Sequence, residues 1–287
     1  MPVQMIVGWG AVFASAFLLY MATVVIRWSR PVTTIDPAFF VFARFVLGFA
    51  VVALSMTVQR RSLRPRRFSL IVGRTLSNTV AVFCFYQAVA TTTVANANIL
   101  NMTYPIFVAI FTWLFLREQR DRVTLAMVPF AFLGIWLIIS PEGAGWNWND
   151  AWGLASGLTA SFAMIYLNLC RKYNDAETTL FYMFGIGLVL IYAGFHDRIF
   201  VPDAVGFRYL AMSAAFGVGG QYLLTYGFRF VTAVEGSIIS SSRILLAALL
   251  GPVILDDPAL ALPGWIGAVL IFSANVVITV RKGKGWK

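Results

Sequence analysis

Long apolar runs separated by short polar breaks cover the chain from its first residues to its last. A helix needs about 20 predominantly apolar residues to cross the hydrocarbon core of a bilayer. Reading the runs against charged residues, glycine and proline predicts ten such helices. They are expected over residues 6–26, 36–58, 69–90, 94–116, 123–140, 151–170, 177–195, 207–228, 232–254 and 261–280.

The breaks between these runs differ in sharpness. The charged stretch 117–122 ends the fourth run abruptly, whereas only the three threonines at 91–93 separate the third run from the fourth. The N-terminus has neither a basic leading segment nor a small-residue cleavage site. We therefore expect the first run to remain as a helix of the protein.

The placement of lysine and arginine predicts the orientation in the membrane. If the N-terminus is cytoplasmic, most of these residues, Arg74 among them, fall on the cytoplasmic side. The exceptions are the outer Arg27, Arg30, Arg198 and Arg208, and Arg44 and Arg243 inside helices. Because cytoplasmic loops carry an excess of positive charge, both termini are expected in the cytoplasm. We expect a multi-pass protein of the plasma membrane, in a bacterium the inner membrane.

The two halves of the chain resemble each other in sequence. Residues 83–118 align with residues 223–257, so that Tyr86 matches Tyr226 and Glu118 matches Asp257. Each matching segment is followed by one more apolar run. The predicted organisation is therefore two five-helix repeats, 1–140 and 151–287, the second with a short basic cytoplasmic tail. An odd number of helices per repeat gives the halves opposite topology, as in many secondary transporters.

Composition agrees with lipid as the main solvent. Of 287 residues, 60% are hydrophobic and 12% are charged, about half the charged fraction of a soluble domain. In a soluble protein, a net charge of +10 would suggest nucleic-acid binding. Here the basic residues lie in short loops and no nucleic-acid motif accompanies them. Cys84 and Cys170 fall inside apolar runs and are interpreted as buried free thiols. No metal, cofactor or catalytic cluster is expected.

Several short motifs resemble the EamA-type ten-helix permeases of the drug/metabolite transporter superfamily. In the first half these are Ala43-Arg44-Phe45, Phe85-Tyr86-Gln87-Ala88, Ala95 and Ala97, Pro105, Leu116-Arg117-Glu118 and Gly134. In the second half they are Gly217, Tyr226, Asp257, Gly264-Trp265-Ile266-Gly267-Ala268 and Leu270. The second half departs from the pattern around Arg243-Ile244-Leu245, where the usual proline is replaced.

This resemblance implies an all-α membrane fold built as two inverted five-helix repeats around a central cavity. Helices three, four, eight and nine would line the cavity, with contributions from one and six, and helices five and ten would pack at the periphery. Transport would need no ATP-binding partner. The fold alone does not choose among uniport, exchange and ion coupling.

Arg243 is the strongest candidate for contact with a substrate. It lies near the middle of the predicted ninth helix, where a guanidinium needs an anionic or carbonyl partner. It could clamp a carboxylate or phosphate in bidentate fashion. Alternatively, it has a structural partner such as Glu235 or a backbone carbonyl. Glu235 is itself either a proton-coupling carboxylate or an interfacial residue.

Polar residues of the fourth helix form a second candidate group. Asn98 and Asn101 are three residues apart and share a face with Tyr104 and Pro105. The proline frees the carbonyl one turn back, at Asn101. The amides could bind a zwitterion or, alternatively, make hydrogen bonds between helices.

The remaining candidates would complete a polar ring around the cavity. They are Asn78 and Tyr86 on helix three, Gln221, Tyr222 and Tyr226 on helix eight, and Ser240 on helix nine. Each has an ordinary alternative, helix packing for the serine and a place in the core for each tyrosine. For Arg44, in the second helix, a structural role is expected.

The sequence thus predicts a secondary transporter, an exporter or exchanger, working by alternating access on amino acids or other carboxylate-bearing metabolites. Its partners would be the small-molecule substrate and the lipid bilayer, with the protein a monomer or homodimer. One alternative is an exporter of amphipathic cations or drugs. Another is a carrier of vitamin- or nucleotide-type metabolites. A membrane enzyme or sensor is disfavoured, because neither paired acids at membrane depth nor a soluble output domain is apparent.

Overall fold

A computed structural model describes residues 3–60, 63–115, 122–139, 147–170, 172–227, 230 and 233–284. Throughout these ranges the secondary structure is helical, with no strand. The α-helices are α1 (Val3–Ser29), α2 (Pro37–Val58), α3 (Phe68–Thr91), α4 (Val94–Asn101), α5 (Tyr104–Phe115), α6 (Arg122–Ile139), α7 (Asp150–Cys170), α8 (Ala176–Phe195), α9 (Ala204–Gly227), α10 (Ala233–Leu255) and α11 (Leu262–Lys284).

The observed helix ends lie close to the predicted ones, but the predicted fourth helix is two helices. The helix over 94–116 is interrupted at Met102 and Thr103, between α4 and α5. Pro105 has no N–H to donate to the carbonyl of Asn101, so the α-helical ladder cannot run unbroken through this point. The carbonyl of Met102, inside the break, accepts a hydrogen bond from another helix instead, from Asn275 Nδ2 on α11 at 2.8 Å.

Side chains at the helix starts explain why three of the helices begin where they do. Asp36, Thr93 and Asp175 precede α2, α4 and α8, and each accepts a hydrogen bond from a backbone N–H of the first turn. Pro37 adds a fixed φ at the first position of α2. The cap at Thr93 is what separates α3 from α4 in a stretch with no charged residue.

The outward faces of the helices are apolar, which fits a lipid environment. Leu54, Trp136, Val189 and Val253 are more than half exposed, although each is large and apolar. Within the described residues, five helical stretches are long and apolar enough to cross a membrane, namely Ile6–Ser29, Pro37–Val58, Phe68–Thr91, Val94–Phe111 and Ala176–Arg198. Shorter apolar helices occur at Ala126–Ile138, Ile239–Leu255 and Leu262–Ile278.

Helix packing follows an exchange pattern: when the helices of one half are exchanged for the corresponding helices of the other half, the main contacts recur. If α1, α2, α3, α4–α5 and α6 correspond to α7, α8, α9, α10 and α11, the most extensive contacts have counterparts. The α3–α7 interface corresponds to α1–α9, and α2–α9 corresponds to α3–α8. The α2–α8 and α6–α11 interfaces each correspond to themselves.

The α2–α8 interface shows this reciprocity at the level of single side chains. Gly48 on α2 lies against the ring of Phe184, and Gly187 on α8 lies against the ring of Phe45. The two phenylalanine rings meet edge to face, with centroids 5.9 Å apart. Both rings are fully buried. Each helix therefore contributes one glycine and one phenylalanine ring to the same contact.

This close approach predicts that Gly48→Ala destabilises the fold. The added methyl would lie 2.6 Å from the Phe184 ring, so helix or ring must shift, and the free energy of unfolding should fall by about 1–3 kcal/mol. The measurement is thermal unfolding of the detergent-purified protein. Gly10→Ala on α1 is the matched control, because nothing lies within 4 Å of the added methyl there.

Replacing the Phe184 ring by the smaller leucine side chain should restore part of the lost stability. The double variant Gly48→Ala/Phe184→Leu is therefore expected to unfold at a higher temperature than Gly48→Ala alone. Equal stability of Gly48→Ala and Gly10→Ala would show that the interface has more room than the structure gives it.

Candidate functional site

A cavity of about 320 Å³ lies between the two halves of the chain. Helices α1, α2 and α3 and the α4–α5 break line it from the first half, and α7, α8, α9 and α10 line it from the second. Asp175, an exposed residue just before α8, is part of the lining, so the cavity reaches the surface at the α7–α8 connection. Helices α6 and α11 supply no lining residue among those described.

Three arginines from three helices face this cavity. They are Arg44 on α2, Arg74 on α3 and Arg243 on α10, and each is more than nine-tenths buried. Buried guanidinium groups are costly unless their charge and their N–H donors are satisfied. All three lie in a lining whose described residues include one acid, Asp175.

The Arg243 side chain contacts residues of other helices and also lines the cavity. It lies near the middle of α10, about 15 Å from either end by the helical rise. Its Nη2 donates to Oδ1 of Asn101, and its guanidinium carbon lies 5.2 Å from the centroid of the Phe85 ring. Its Nε is buried without a hydrogen-bond partner in the described structure. The described residues therefore leave this guanidinium incompletely hydrogen-bonded, while the side chain itself lines the cavity.

The break between α4 and α5 places Asn101 in front of Arg243. Asn101 is the last residue of α4, and its Nδ2 donates to Ser156 Oγ on α7 at 3.0 Å. This contact fixes the amide so that its oxygen faces the guanidinium. Helix α7 can approach because Gly157 has no side chain; a methyl there would lie 2.8 Å from the carbonyl oxygen of Leu100.

Arg44 is anchored by a tyrosine. Its Nη1 donates to the Tyr86 hydroxyl at 3.1 Å, while its Nε is buried and has no partner among the described residues. The side chain passes over Gly217 of α9. Arg44 thus resembles Arg243, since each has one polar anchor and one unfilled donor.

The structure brings most of the predicted binding residues together, but not all of them. Six of the ten line the cavity, namely Asn78, Asn101, Tyr104, Gln221, Ser240 and Arg243. The other four, Tyr86, Asn98, Tyr222 and Tyr226, are not part of its lining.

Their surroundings explain why these four residues are elsewhere. Tyr86 is fully buried behind Arg44, and Asn98 donates to Thr23 Oγ1 and to the carbonyl of Val94. Tyr222 packs against the hydrophobic core, and Tyr226, 45% exposed near the end of α9, contacts Phe230. Asn98 thus makes a hydrogen bond between helices, and Tyr86 and Tyr222 lie in or against the core, as their alternatives describe, whereas the exposed Tyr226 does not. The side chain of Glu235 lies outside the described part of the structure.

Two of the arginines were not among the predicted binding residues. Arg44 was expected to be structural, and Arg74 was counted with the cytoplasmic loops. The signal for both was present in the sequence, since each is a charged residue at least one turn inside an apolar helix. Only the packing of the helices shows which face of each helix is turned toward the cavity.

Polar contacts close the opposite end of the helix assembly. Asp257, buried after α10, accepts a hydrogen bond from the N–H of Val94 at 3.0 Å and an ion pair from Arg27 of α1 at 3.2 Å. Nearby, Trp28 Nε1 donates to the carbonyl of Ile254 at 3.2 Å. These contacts, the Arg27–Asp257 cluster, join α1, α4 and the end of α10.

Comparison with known proteins identifies the family. The model of the EamA-like transporter family matches the chain twice, over residues 8–140 and 147–280. The two matches divide the described helices into α1–α6 and α7–α11, the same halves that exchange in the helix packing.

Similar proteins in curated collections are transporters of different substrates. A riboflavin transporter of Brucella anthropi is 24% identical, covering 90% of this chain and 93% of its own length. A pseudopaline exporter of Pseudomonas aeruginosa is 25% identical, with coverages of 87% and 89%. The human solute carrier family 35 member G1 is 22% identical, with coverages of 93% and 77%.

A solved crystal structure has the same fold. It is 17% identical in sequence, with a TM-score of 0.60, and the match covers 96% of this chain and 98% of that one. Since both halves match the family model, and the similar curated proteins are named as transporters, the chain is a membrane transporter and not an enzyme. It belongs to the EamA-like transporter family.

Proposed function

We propose that this protein is a secondary transporter that moves a small anionic metabolite, most simply a carboxylate-bearing one, by alternating access. The observation that carries the proposal is Arg243, a buried guanidinium that lines the cavity between the two halves and has no described acid beside it in that lining other than Asp175 at the mouth. Carboxylates and phosphates match guanidinium geometry and charge. The protein would work as an exporter or exchanger.

The proposed membrane arrangement has ten crossings, with α4 and α5 forming one of them. The two five-helix halves would then run in opposite directions, with both termini in the cytoplasm of a bacterial inner membrane. The exchange pattern of helix packing supports this arrangement, as does the excess of basic residues on the predicted cytoplasmic side.

In this orientation the described conformation is open to the cytoplasm. The cavity reaches the surface beside Asp175, in a predicted cytoplasmic loop, and the Arg27–Asp257 cluster closes the predicted outer side. Opening outward would require that cluster to separate while the α7–α8 side closes. Rocking of one half against the other around a fixed site is how inverted-repeat carriers alternate.

Transport of cations is the weaker alternative, because three arginines line the cavity and Asp175, at its mouth, is the one acid among its described lining residues. A vitamin- or nucleotide-type metabolite with an anionic group remains compatible with the site, and one similar protein is named as a riboflavin transporter. Amino acids, the class expected from the sequence, also carry a carboxylate for Arg243, but most have no net charge and they are the weaker candidates for this site.

Replacing Arg243 tests the anion site directly. In Arg243→Gln the shorter side chain carries no charge, so binding of anionic ligands should weaken at least about tenfold. Arg243→Lys keeps a positive charge but lacks the planar guanidinium. Its affinity for anionic ligands should lie between those of the unmodified protein and Arg243→Gln. The measurement is ligand binding by purified protein, followed by uptake into proteoliposomes.

Arg208→Gln is the matched control, because Arg208 is an exposed arginine on α9. It should bind and transport as the unmodified protein does. If Arg243→Gln bound and transported every identified ligand normally, Arg243 would have a structural role and the proposed anion site would be wrong.

Asp257→Asn tests the closed outer side. Loss of the carboxylate weakens two contacts of the Arg27–Asp257 cluster, so outward-open molecules should become roughly tenfold more populated, as expected for loss of one charged hydrogen bond. The readout is labelling of Ser240→Cys in the cavity by a membrane-impermeant maleimide added outside the cell. Cys84 and Cys170 are replaced by alanine in this background.

The control is Asp36→Asn, which removes the charge from an exposed outer-side ion pair with Arg198, 2.9 Å long. It should leave labelling unchanged. If Asp257→Asn labelled no faster than this control, the Arg27–Asp257 cluster would not be the outer gate.

A further inference from the structure

The described lining of the cavity carries an imbalance of charge. Arg44, Arg74 and Arg243 contribute three positive charges, and Asp175 contributes one negative charge. Asp175 lies at the exposed mouth, where it caps α8 through the N–H of Thr178 at 2.6 Å. The inner part of the cavity, around Arg44 and Arg243, therefore has no described acid to neutralise it.

The same two arginines have unfilled hydrogen-bond donors. Arg243 is anchored by Asn101 and Arg44 by Tyr86, and both anchors are neutral groups that remove no charge. The Nε atoms of both arginines are buried without a partner in the described structure. Each arginine thus offers its positive charge to whatever occupies the cavity, and the described residues leave both guanidinium groups incompletely hydrogen-bonded.

A neutral zwitterion does not fit this arrangement well. An amino acid brings one carboxylate and one ammonium group, so its net charge is zero and the excess positive charge of the site remains. Its ammonium group would also lie within a few ångströms of a guanidinium, and the two like charges repel each other. A ligand with two negative charges removes the excess and has no group that the arginines repel.

We propose that the substrate carries two negative charges, one held at Arg243 and the other at Arg44. This inference rests on the proposed function and narrows its substrate class to net dianions, of which dicarboxylates and phosphomonoesters are the chemical forms. Arg74 of α3, also in the lining, adds to the positive charge that attracts the dianion. Asn78, Tyr104 and Gln221 on the cavity wall hold its uncharged part.

The volume of the site agrees with a small dianion. A cavity of about 320 Å³ is at the lower end of the range for small-molecule sites, and it suits a ligand with a backbone of a few carbon atoms. The substrate would thus be small, compact and doubly charged.

The first test compares three ligands of one chain length in the same purified protein. They are glutarate with two carboxylates, valerate with one, and 5-aminovalerate with a carboxylate and an ammonium group. Glutarate should bind at least about tenfold more tightly than valerate, and 5-aminovalerate should bind more weakly than valerate.

Variants locate the two charges. In Arg44→Gln the preference for glutarate over valerate should fall towards one, because the second charge loses its partner. In Arg243→Gln both ligands should bind weakly, and Arg208→Gln should match the unmodified protein. Suppose that valerate or 5-aminovalerate bound as tightly as glutarate, and that binding of this ligand and of glutarate depended on Arg243. The dianion inference would then be overturned, while the proposed anion transporter would stand. If none of the three depended on Arg243, the proposed function itself would fail.

The second test uses the unmodified protein, so its outcome does not depend on whether a variant folds. A phosphomonoester gains its second negative charge as pH rises through about 6, whereas the sulfate ester of the same alcohol keeps one charge. Affinity for glycerol 3-phosphate should therefore increase between pH 5 and 7, relative to the sulfate ester, by about tenfold. Parallel pH dependence of the two esters would overturn the inference, because it would report titration of the protein and not of the ligand.

Glutarate and glycerol 3-phosphate together separate the two chemical forms. Tight binding of glutarate alone assigns the site to dicarboxylates, and tight binding of the phosphate ester alone assigns it to phosphomonoesters. Either result supports the dianion. Weak binding of both, beside tight binding of a monoanion, contradicts it.

Discussion

The contact between Arg243 and Asn101 is the interaction on which the arrangement of the site depends. A guanidinium in the middle of an apolar helix must find polar partners within the protein. Asn101 can serve because α4 ends there, and α4 ends there because Pro105 interrupts the hydrogen-bond ladder. Asn275 then takes up the carbonyl that the break exposes. One proline thus shapes a contact between α4 and α10, and through Asn275 it also involves α11.

The cavity exists because the two halves meet along helix pairs that leave space between them. Helices α2 and α8 form one tight contact, and α6 and α11 form another. Helices α2 and α8 also line the cavity, together with α1, α3, α7, α9, α10 and the α4–α5 break, so residues from both halves face the same space. This arrangement explains how arginines far apart in the sequence, on α2, α3 and α10, come to share one space. It also lets a relative movement of the halves change which side is open.

Sequence reasoning predicted the helices well, because membrane thickness fixes their length and charged or capping residues mark their ends. It missed the interruption at Met102 and Thr103, although Pro105 was visible, because a proline may either kink or break a helix depending on what satisfies the freed carbonyl. It gave Tyr226 the same role as Tyr86, yet one is exposed and the other is fully buried. It placed Arg74 with the loops. The depth and facing of a side chain depend on neighbouring helices, which apolar periodicity alone does not identify.

The reciprocal contact of Gly48 and Phe184 with Gly187 and Phe45 has the character of an isologous interface, in which one surface is complementary to a copy of itself. A free five-helix unit with such a surface would pair with an identical unit, at a cost in translational freedom that depends on concentration. Joining two units in one chain makes that association intramolecular, so the effective concentration of each half for the other stays high however dilute the protein is in the membrane. The link also releases the two halves from being identical. One half could then acquire Arg243 while the other kept Pro105, giving a binding site whose two walls differ.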